Sequence, residues 1–399
     1  MSFFSSVALA PDDPILGLTD AWLADPRSPK VNLGVGVYYD AQGRQVLPES
    51  VMRAEATLTA RRRARSYIPI DGLPDYDSAT RTLVFGENCR ALAEDRVVTA
   101  QTLGGTGALR VGADFLKATL PAARAAISAP SWPNHKVLFR AAGFEVEDYP
   151  YYHPASHGVD FEAMRAALAA MEPGTVVLLH ACCHNPTGAD LSAAQWREVA
   201  QVVRDRGLLP FVDMAYQGFD RGIAEDAQGI ALLLEAGVEN LLVANSCSKS
   251  FSLYGERIGA LSLVCGSADE ARRVRSQVKQ TIRANYSNPP THGAALVATI
   301  LGDPDLRAQW EEEVGQMRDR IKAMRSGLVA RLAALGRTEF GFINRQAGMF
   351  TYSGLSAAQV QRLREEFAIY AVSSGRICVS ALNESNLDYV AEAMAKVAA

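Results

Sequence analysis

Between residues 96 and 265 the chain alternates short runs rich in β-branched and aliphatic residues with segments of helical periodicity. Seven such runs stand at 97–102, 125–129, 144–149, 175–180, 208–213, 240–245 and 259–264. Each is apolar enough to be buried on both faces. The intervening segments at 106–117, 161–171 and 193–206 carry apolar residues at three- and four-residue steps, as amphipathic helices do. The alternation predicts an α/β fold, a doubly wound, mostly parallel sheet covered by helices. Past Pro304 one long helical stretch, 306–335, leads into strands near 349–352 and 377–380, which reads as a smaller α+β domain. The segment up to Gln45 has Asp-Pro turns and little periodicity, as expected of an arm packed on that second domain. The expected division is 1–45 (arm and part of the small domain), 46–305 (large domain) and 306–399 (small domain).

Composition narrows the partners. With 399 residues, 48% of them apolar, the chain can bury a large core. Forty basic and 44 acidic residues give a net charge of -4, which supplies no field for nucleic acid or an anionic membrane. The run Arg61-Arg62-Arg63-Ala64-Arg65 reads as a solvated helix face. Six cysteines, with Cys182 and Cys183 adjacent and no C-x-x-C spacing, suit reduced thiols rather than zinc or disulfides. Residues 1–14 show no basic stretch followed by an apolar run, and nothing approaches the ~20 apolar residues of a membrane span. The expected compartment is the cytoplasm.

Ligands of open α/β sheets bind where strands end. After the first run comes Gly104-Gly105-Thr106-Gly107, opening a helix whose amides suit an anion, although such glycines also serve as plain turns. A dinucleotide fingerprint is excluded, because Arg110 stands where its third glycine belongs. The fourth run ends in His180-Ala-Cys-Cys-His184-Asn185-Pro186. Adjacent cysteines cannot both face one tetrahedral ion, so no metal is expected. Asp213 ends the fifth run and needs a cationic partner if buried. The sixth run ends in Asn245-Ser246-Cys247-Ser248-Lys249, with Arg257 eight residues on; the two serines and the arginine suit a phosphate dianion. One ligand would engage all of these ends. Pyridoxal phosphate needs an amine for its aldehyde, a carboxylate for its pyridine nitrogen and donors for its phosphate.

On Ser246-x-Ser248-Lys249 with Arg257, Cys-Cys-His-Asn185-Pro-Thr-Gly, Asp213-x-Ala-Tyr216-Gln-Gly-Phe, Arg283-Ala-Asn-Tyr-Ser-Asn288-Pro-Pro and Ser-Gly-Arg376, the chain resembles the class I aminotransferases of the aspartate and aromatic type. The likeness extends over essentially its full length and implies the fold type I architecture. It implies that Lys249 carries the cofactor as a Schiff base and moves the substrate's α-proton, and that Asp213 pairs with the pyridinium, supported by His180. Asn185 and Tyr216 would bond the phenolic oxygen, and Trp132 would stack on the ring. Gly105, Thr106, Ser246, Ser248 and Arg257 would hold the phosphate, with Tyr67 reaching over from a second subunit of a homodimer. Arg376, with Gly36 and Asn185, would bind the substrate α-carboxylate, and the partner's Arg283 the distal carboxylate. His135 lies in the segment that would flank the cofactor.

Specificity is divided within that resemblance. The stretches starting at Gln101, Tyr67, Phe251 and Tyr352 look like bacterial tyrosine or aromatic aminotransferases, whereas Trp132-Pro-Asn-His135 and Arg283-Ala-Asn-Tyr look like the aspartate enzyme. The expectation is transfer from tyrosine, phenylalanine and aspartate to 2-oxoglutarate by a ping-pong route; the alternative is a narrow aspartate aminotransferase. One departure stands out: Ser380-Ala381 replaces the usual Ala-Gly near Arg376.

Overall fold

The computed structural model describes residues 2–10, 13, 15–62, 64 and 66–399, together with the backbone but not the side chain of Leu16. Arg63 and Arg65 of the basic run, and residues 1, 11, 12 and 14 of the opening segment, lie outside the described residues. No helix among them is long and apolar enough to cross a membrane.

All seven anticipated strands join one sheet: β1 (Val97–Leu103), β2 (Ala125–Ala129), β3 (Val146–Pro150), β4 (Val176–His180), β5 (Leu209–Met214), β6 (Leu241–Ser246) and β7 (Ile258–Val264), in the order β1-β7-β6-β5-β4-β2-β3. Successive side chains of a strand face opposite sides. Accordingly Val176, Leu178, Phe211, Leu242 and Ala244 enter one apolar layer, and Val177, Leu179, Val212, Leu241 and Val243 the other. The sheet is mostly parallel, as expected, with β7 antiparallel to both neighbours, β1 and β6. One expectation is corrected. β3 is not buried on both faces, because it is the edge strand and keeps Glu147 and Asp148 toward solvent, which discourages pairing with another chain.

The reversal of β7 brings its first residues to the edge where the parallel strands end: Ile258 pairs with Leu103 and Gly259 with Ser246. Arg257 therefore returns beside the Gly104 turn, although eight residues of chain separate it from Lys249. Gly259 permits this close approach. A Cβ on it would lie 2.5 Å from the Asn245 carbonyl, 2.6 Å from Gly104 C and 2.8 Å from Gly105 N, all of them backbone atoms.

The smaller α+β unit pairs Phe350–Tyr352 with Arg376–Cys378 and packs helices Ala357–Phe367 and Leu387–Val397 behind them. The opening segment does join it, through Val31–Asn32 paired with Ile369–Tyr370. It also forms a helix, Leu16–Ala24, that its weak periodicity did not announce. The strand expected at 377–380 stops at Cys378 and turns into a 3-10 segment, Val379–Ala381. Helix Pro304–Ala334 serves both units: Leu306, Trp310 and Val314 pack on the large one, Met317, Ile321, Leu328 and Leu332 on the small one.

Replacing Gly259 with Ala is expected to destabilise the fold by about 1–3 kcal/mol, the usual penalty of overpacking. Denaturant titration measures it, and an unchanged midpoint would contradict the close packing of β7 on the Gly104–Gly105 turn.

Candidate active site

Two large cavities flank the sheet. The one of about 640 Å³ lies at the amino-terminal edge among Leu116, Leu120, Leu242, Leu263 and Val274 and contains neither lysine nor histidine. The other, about 580 Å³, opens at the carboxyl edge and is the chemically equipped one. Its walls bring together Gly36, Gly105, Thr106, Trp132, His180, Asn185, Asp213, Tyr216, Ser246, Ser248, Lys249, Arg257 and Arg376. Thirteen of the fifteen residues singled out from the sequence thus converge from both units. Tyr67 and Arg283 do not: Tyr67 is 93% exposed, and Arg283, in the last turn of helix Ala268–Asn285, bonds Ser287 at the surface.

Lys249 follows β6 and is half-buried, its Nζ 5.5 Å from the Tyr216 ring centre and 5.9 Å from that of Tyr254. Burial lowers its amine to about 8, against the opposing pull of Asp213. Tyr254, which the sequence reading passed over, lines the same cavity and accepts a hydrogen bond from the Tyr38 amide at 2.9 Å. Its hydroxyl is pushed up by burial.

Burial raises the Asp213 carboxyl, but the His135 hydrogen bond and nearby positive groups more than compensate, so its net shift is downward and it stays ionised. The direct partner is His135, whose Nε2–H donates to Oδ2 at 2.9 Å. The expected support from His180 reaches Asp213 electrostatically and through Ser131 rather than by a bond to the carboxylate. His180 bonds instead to the Ser131 hydroxyl at 3.1 Å, and Ser131 to His135 Nδ1 at 2.9 Å. The reason is placement: His135 sits in helix Pro133–Ala141 facing the end of β5, and its ring meets His180 edge-on at 5.1 Å. Desolvation keeps His180 neutral, lowering it to about 3. Ser131 thus links the two rings, bonded to His135 Nδ1 on one side and to His180 Nε2 on the other.

A third histidine, His184, lies against His180 and braces the chain behind the cavity. Ser128 donates to the Pro130 carbonyl at 3.1 Å and so accepts from His184 Nε2, while Thr187 donates to Nδ1 at 2.8 Å. The backbone amides of Cys183 and His184 donate to Asp190, at 2.6 and 2.8 Å. That carboxyl is raised to about 7 by burial, with the two amides opposing.

On the phosphate-sized side, Ser246 donates to Ser248 at 3.1 Å, and helix Gly104–Thr119 opens with Gly105 and Thr106 on the cavity. Its amino-terminal amides and partial positive charge favour an anion. Arg257 approaches so closely that a Cβ on Gly104 would lie 2.7 Å from its Nη2, and it adopts a left-handed φ of +52°, uncommon for a side-chain-bearing residue. On the opposite side Arg376 is buried. Its Nη1 donates to Asn185 at 3.0 Å and its Nη2 to the Gly34 carbonyl at 2.7 Å, and its guanidinium lies 4.1 Å from the Phe350 ring centre. Its Nε has no partner, and an unsatisfied buried donor costs about 1–3 kcal/mol. Gly36 makes room for Phe350, since a Cβ there would lie 2.5 Å from the ring.

The family model for aminotransferase class I and II matches residues 28–394. The chain is 54% identical to the aspartate aminotransferase of Pseudomonas aeruginosa, over 100% of both chains. It is 49% identical to the aromatic-amino-acid aminotransferase of Escherichia coli, over 99% of this chain and 100% of that one. A crystal structure of the aromatic-amino-acid aminotransferase from Burkholderia pseudomallei, covalently bound to pyridoxal phosphate, superposes with a TM-score of 0.97 at 58% identity and full coverage of both chains. With this match along nearly its whole length, the chain belongs to the class I and II aminotransferases.

Proposed function

We propose that the protein is a pyridoxal-phosphate-dependent aminotransferase that takes amino groups from tyrosine, phenylalanine and aspartate and passes them to 2-oxoglutarate. The observation that carries this reading is the single cavity in which a half-buried amine, an ionised carboxylate, an anion cradle and a buried arginine face one another. The residues fit the cofactor: the cradle is set by backbone too close to admit a Cβ at Gly259, and Arg376 Nε is an orphaned donor in the same space. When bound, the cofactor supplies an aldehyde for amines and a protonated ring that withdraws electrons from the α-carbon.

Lys249 is the attachment point. Its amine, once free, would take the α-proton and return it. An amine lowered toward neutral pH suits both steps, and burial lowers it. With the cofactor bound, Asp213 would hold the ring proton, with His135 aligning the carboxylate. Asn185 and Tyr216 would bond the phenolic oxygen, and Trp132 would cover the ring face. Gly105, Thr106, Ser246, Ser248 and Arg257 would hold the phosphate. Arg376 fixes the α-carboxylate by two-pronged guanidinium bonding, for which a lysine would be a poor substitute, with Gly36 and Asn185 beside it.

The active unit is a homodimer in this reading. Tyr67 and Arg283 lie on the surface of their own protomer, which suits residues that complete a second copy's cavity, on the phosphate and on the distal carboxylate respectively. The chain divides in this reading near 45/46 and 305/306, with Leu306, Trp310 and Val314 at the start of the second part packing back into a large-unit cluster. Six unpaired thiols support a cytoplasmic location. A narrow aspartate aminotransferase is the second reading, favoured by the 54% likeness to the Pseudomonas aeruginosa aspartate enzyme.

Comparing kcat/KM for tyrosine, phenylalanine and aspartate, each with 2-oxoglutarate, decides between them; turnover of aspartate alone rejects the aromatic assignment. The Lys249→Ala protein is expected to lose the visible cofactor band of the wild type and its activity, and retention of both would refute the role of Lys249. In cofactor-free protein the rate of cofactor attachment should climb with pH and level off above about 8, as the lowered Lys249 amine sheds its proton. A rate flat from pH 6 to 9 would contradict this. Asp213→Asn is expected to cost about 10²–10³-fold in kcat, the usual scale for removing one electrostatic group, with cofactor still bound.

A further inference from the structure

The peptide group joining Val37 to Tyr38 is gripped from both sides. Its carbonyl accepts the Ser380 hydroxyl at 2.8 Å, and its N–H donates to the Tyr254 hydroxyl at 2.9 Å. Ser380 belongs to the small unit, just past the strand that carries Arg376, whereas Tyr254 follows Lys249 in the large one. One peptide plane therefore bridges the two units at the rim of the cavity, and Val35, Gly36 and Val37 form the cavity wall immediately before it.

Ser380 is fully buried, and its only proton goes to the Val37 carbonyl, so its oxygen accepts from the Cys378 thiol at 3.0 Å. Without that hydroxyl the nearest side-chain donor to the Val37 carbonyl is the same thiol at 3.8 Å, a weak donor at long range. Alanine at this position would thus leave the Val37–Tyr38 peptide held firmly on the Tyr254 side alone. The neighbouring anchors do not use the Ser380 hydroxyl: Arg376 bonds the Gly34 carbonyl, and Arg320 bonds the carbonyls of Asp40 and Leu382 and, at 3.5 Å, the backbone carbonyl of Ser380.

We propose that Ser380 is a positioning residue for substrate selection, tethering the Val35–Val37 wall so that the cavity holds a compact dicarboxylic substrate firmly and resists displacement by a bulky aromatic one. The inference rests on the aminotransferase reading above. It adds that the departure at position 380 shifts the balance between the two substrate classes.

Ser380→Ala tests it, measured as kcat/KM for phenylalanine and aspartate together with hydrogen exchange of the peptide covering residues 34–40. The expected result is faster exchange of that segment and a phenylalanine-to-aspartate ratio raised about threefold or more, mainly through KM, in line with the modest discrimination that apolar walls achieve. An unchanged ratio overturns the proposal whether or not exchange quickens, as does an equal loss for both substrates, which would mark a structural role only. If the wild type turns over aspartate alone, the aromatic reading fails by itself. The tether is then judged by exchange and by the KM for aspartate, which must rise in the variant.

Discussion

The site depends on one constraint: the Asp213 carboxylate must remain charged in the interior at the end of a buried strand. Desolvation works against it, and a lone buried carboxylate would take up a proton instead. His135 reverses the balance by donating at 2.9 Å, and Ser131 and His180 extend the bonding behind it. Asp213 in turn favours the charged form of Lys249, which burial alone would lower further. Carboxylate and amine are thus tuned as a pair, and neither would hold its protonation state without the residues packed behind the other.

Backbone geometry delivers the second half of the site. A wholly parallel sheet would begin the strand after Lys249 at the far edge, some strand-length away from the cavity. Because β7 reverses, its first residue pairs with the last of β1, and Arg257 enters beside the amino-terminal end of helix Gly104–Thr119. Two sources of positive potential, one a guanidinium and one a helix terminus, then meet over two hydroxyls. The left-handed backbone at Arg257 is the strain that accompanies this placement.

Strands buried on both faces announce themselves as unbroken apolar runs, which is why the sheet strands other than the edge strand β3, and the residues at their ends, were legible in the sequence. Direction was not: the residues of β7 pack alike either way, and only pairing with β1 and β6 distinguishes them. His135 was undervalued for a related reason. Nothing local marks a histidine of helix Pro133–Ala141 as the partner of a carboxylate 78 residues on, whereas His180 is directly opposite Asp213 in neighbouring strands and looked the nearer candidate. Register adjacency points side chains the same way without bringing their polar atoms into contact. Helix Leu16–Ala24 was missed because it has no side-chain cap and no acidic or basic bias at its ends. Tyr67 and Arg283 could be named through resemblance alone, since no property of a single chain reveals what its surface gives to another copy.

Reaction type and substrate choice rest on different parts of the molecule. Lys249, Asp213 and the anion cradle lie on the large sheet, whose strands leave little freedom of movement. The wall at Val35–Val37 is an irregular segment fixed by a few separate hydrogen bonds, and Phe350 and Arg376 reach it from the small unit. Each such bond contributes only about 0.5–1.5 kcal/mol net, comparable to the differences that separate one amino-acid substrate from another. A single buried hydroxyl in that wall is therefore large enough to matter for selection and far too small to alter the chemistry.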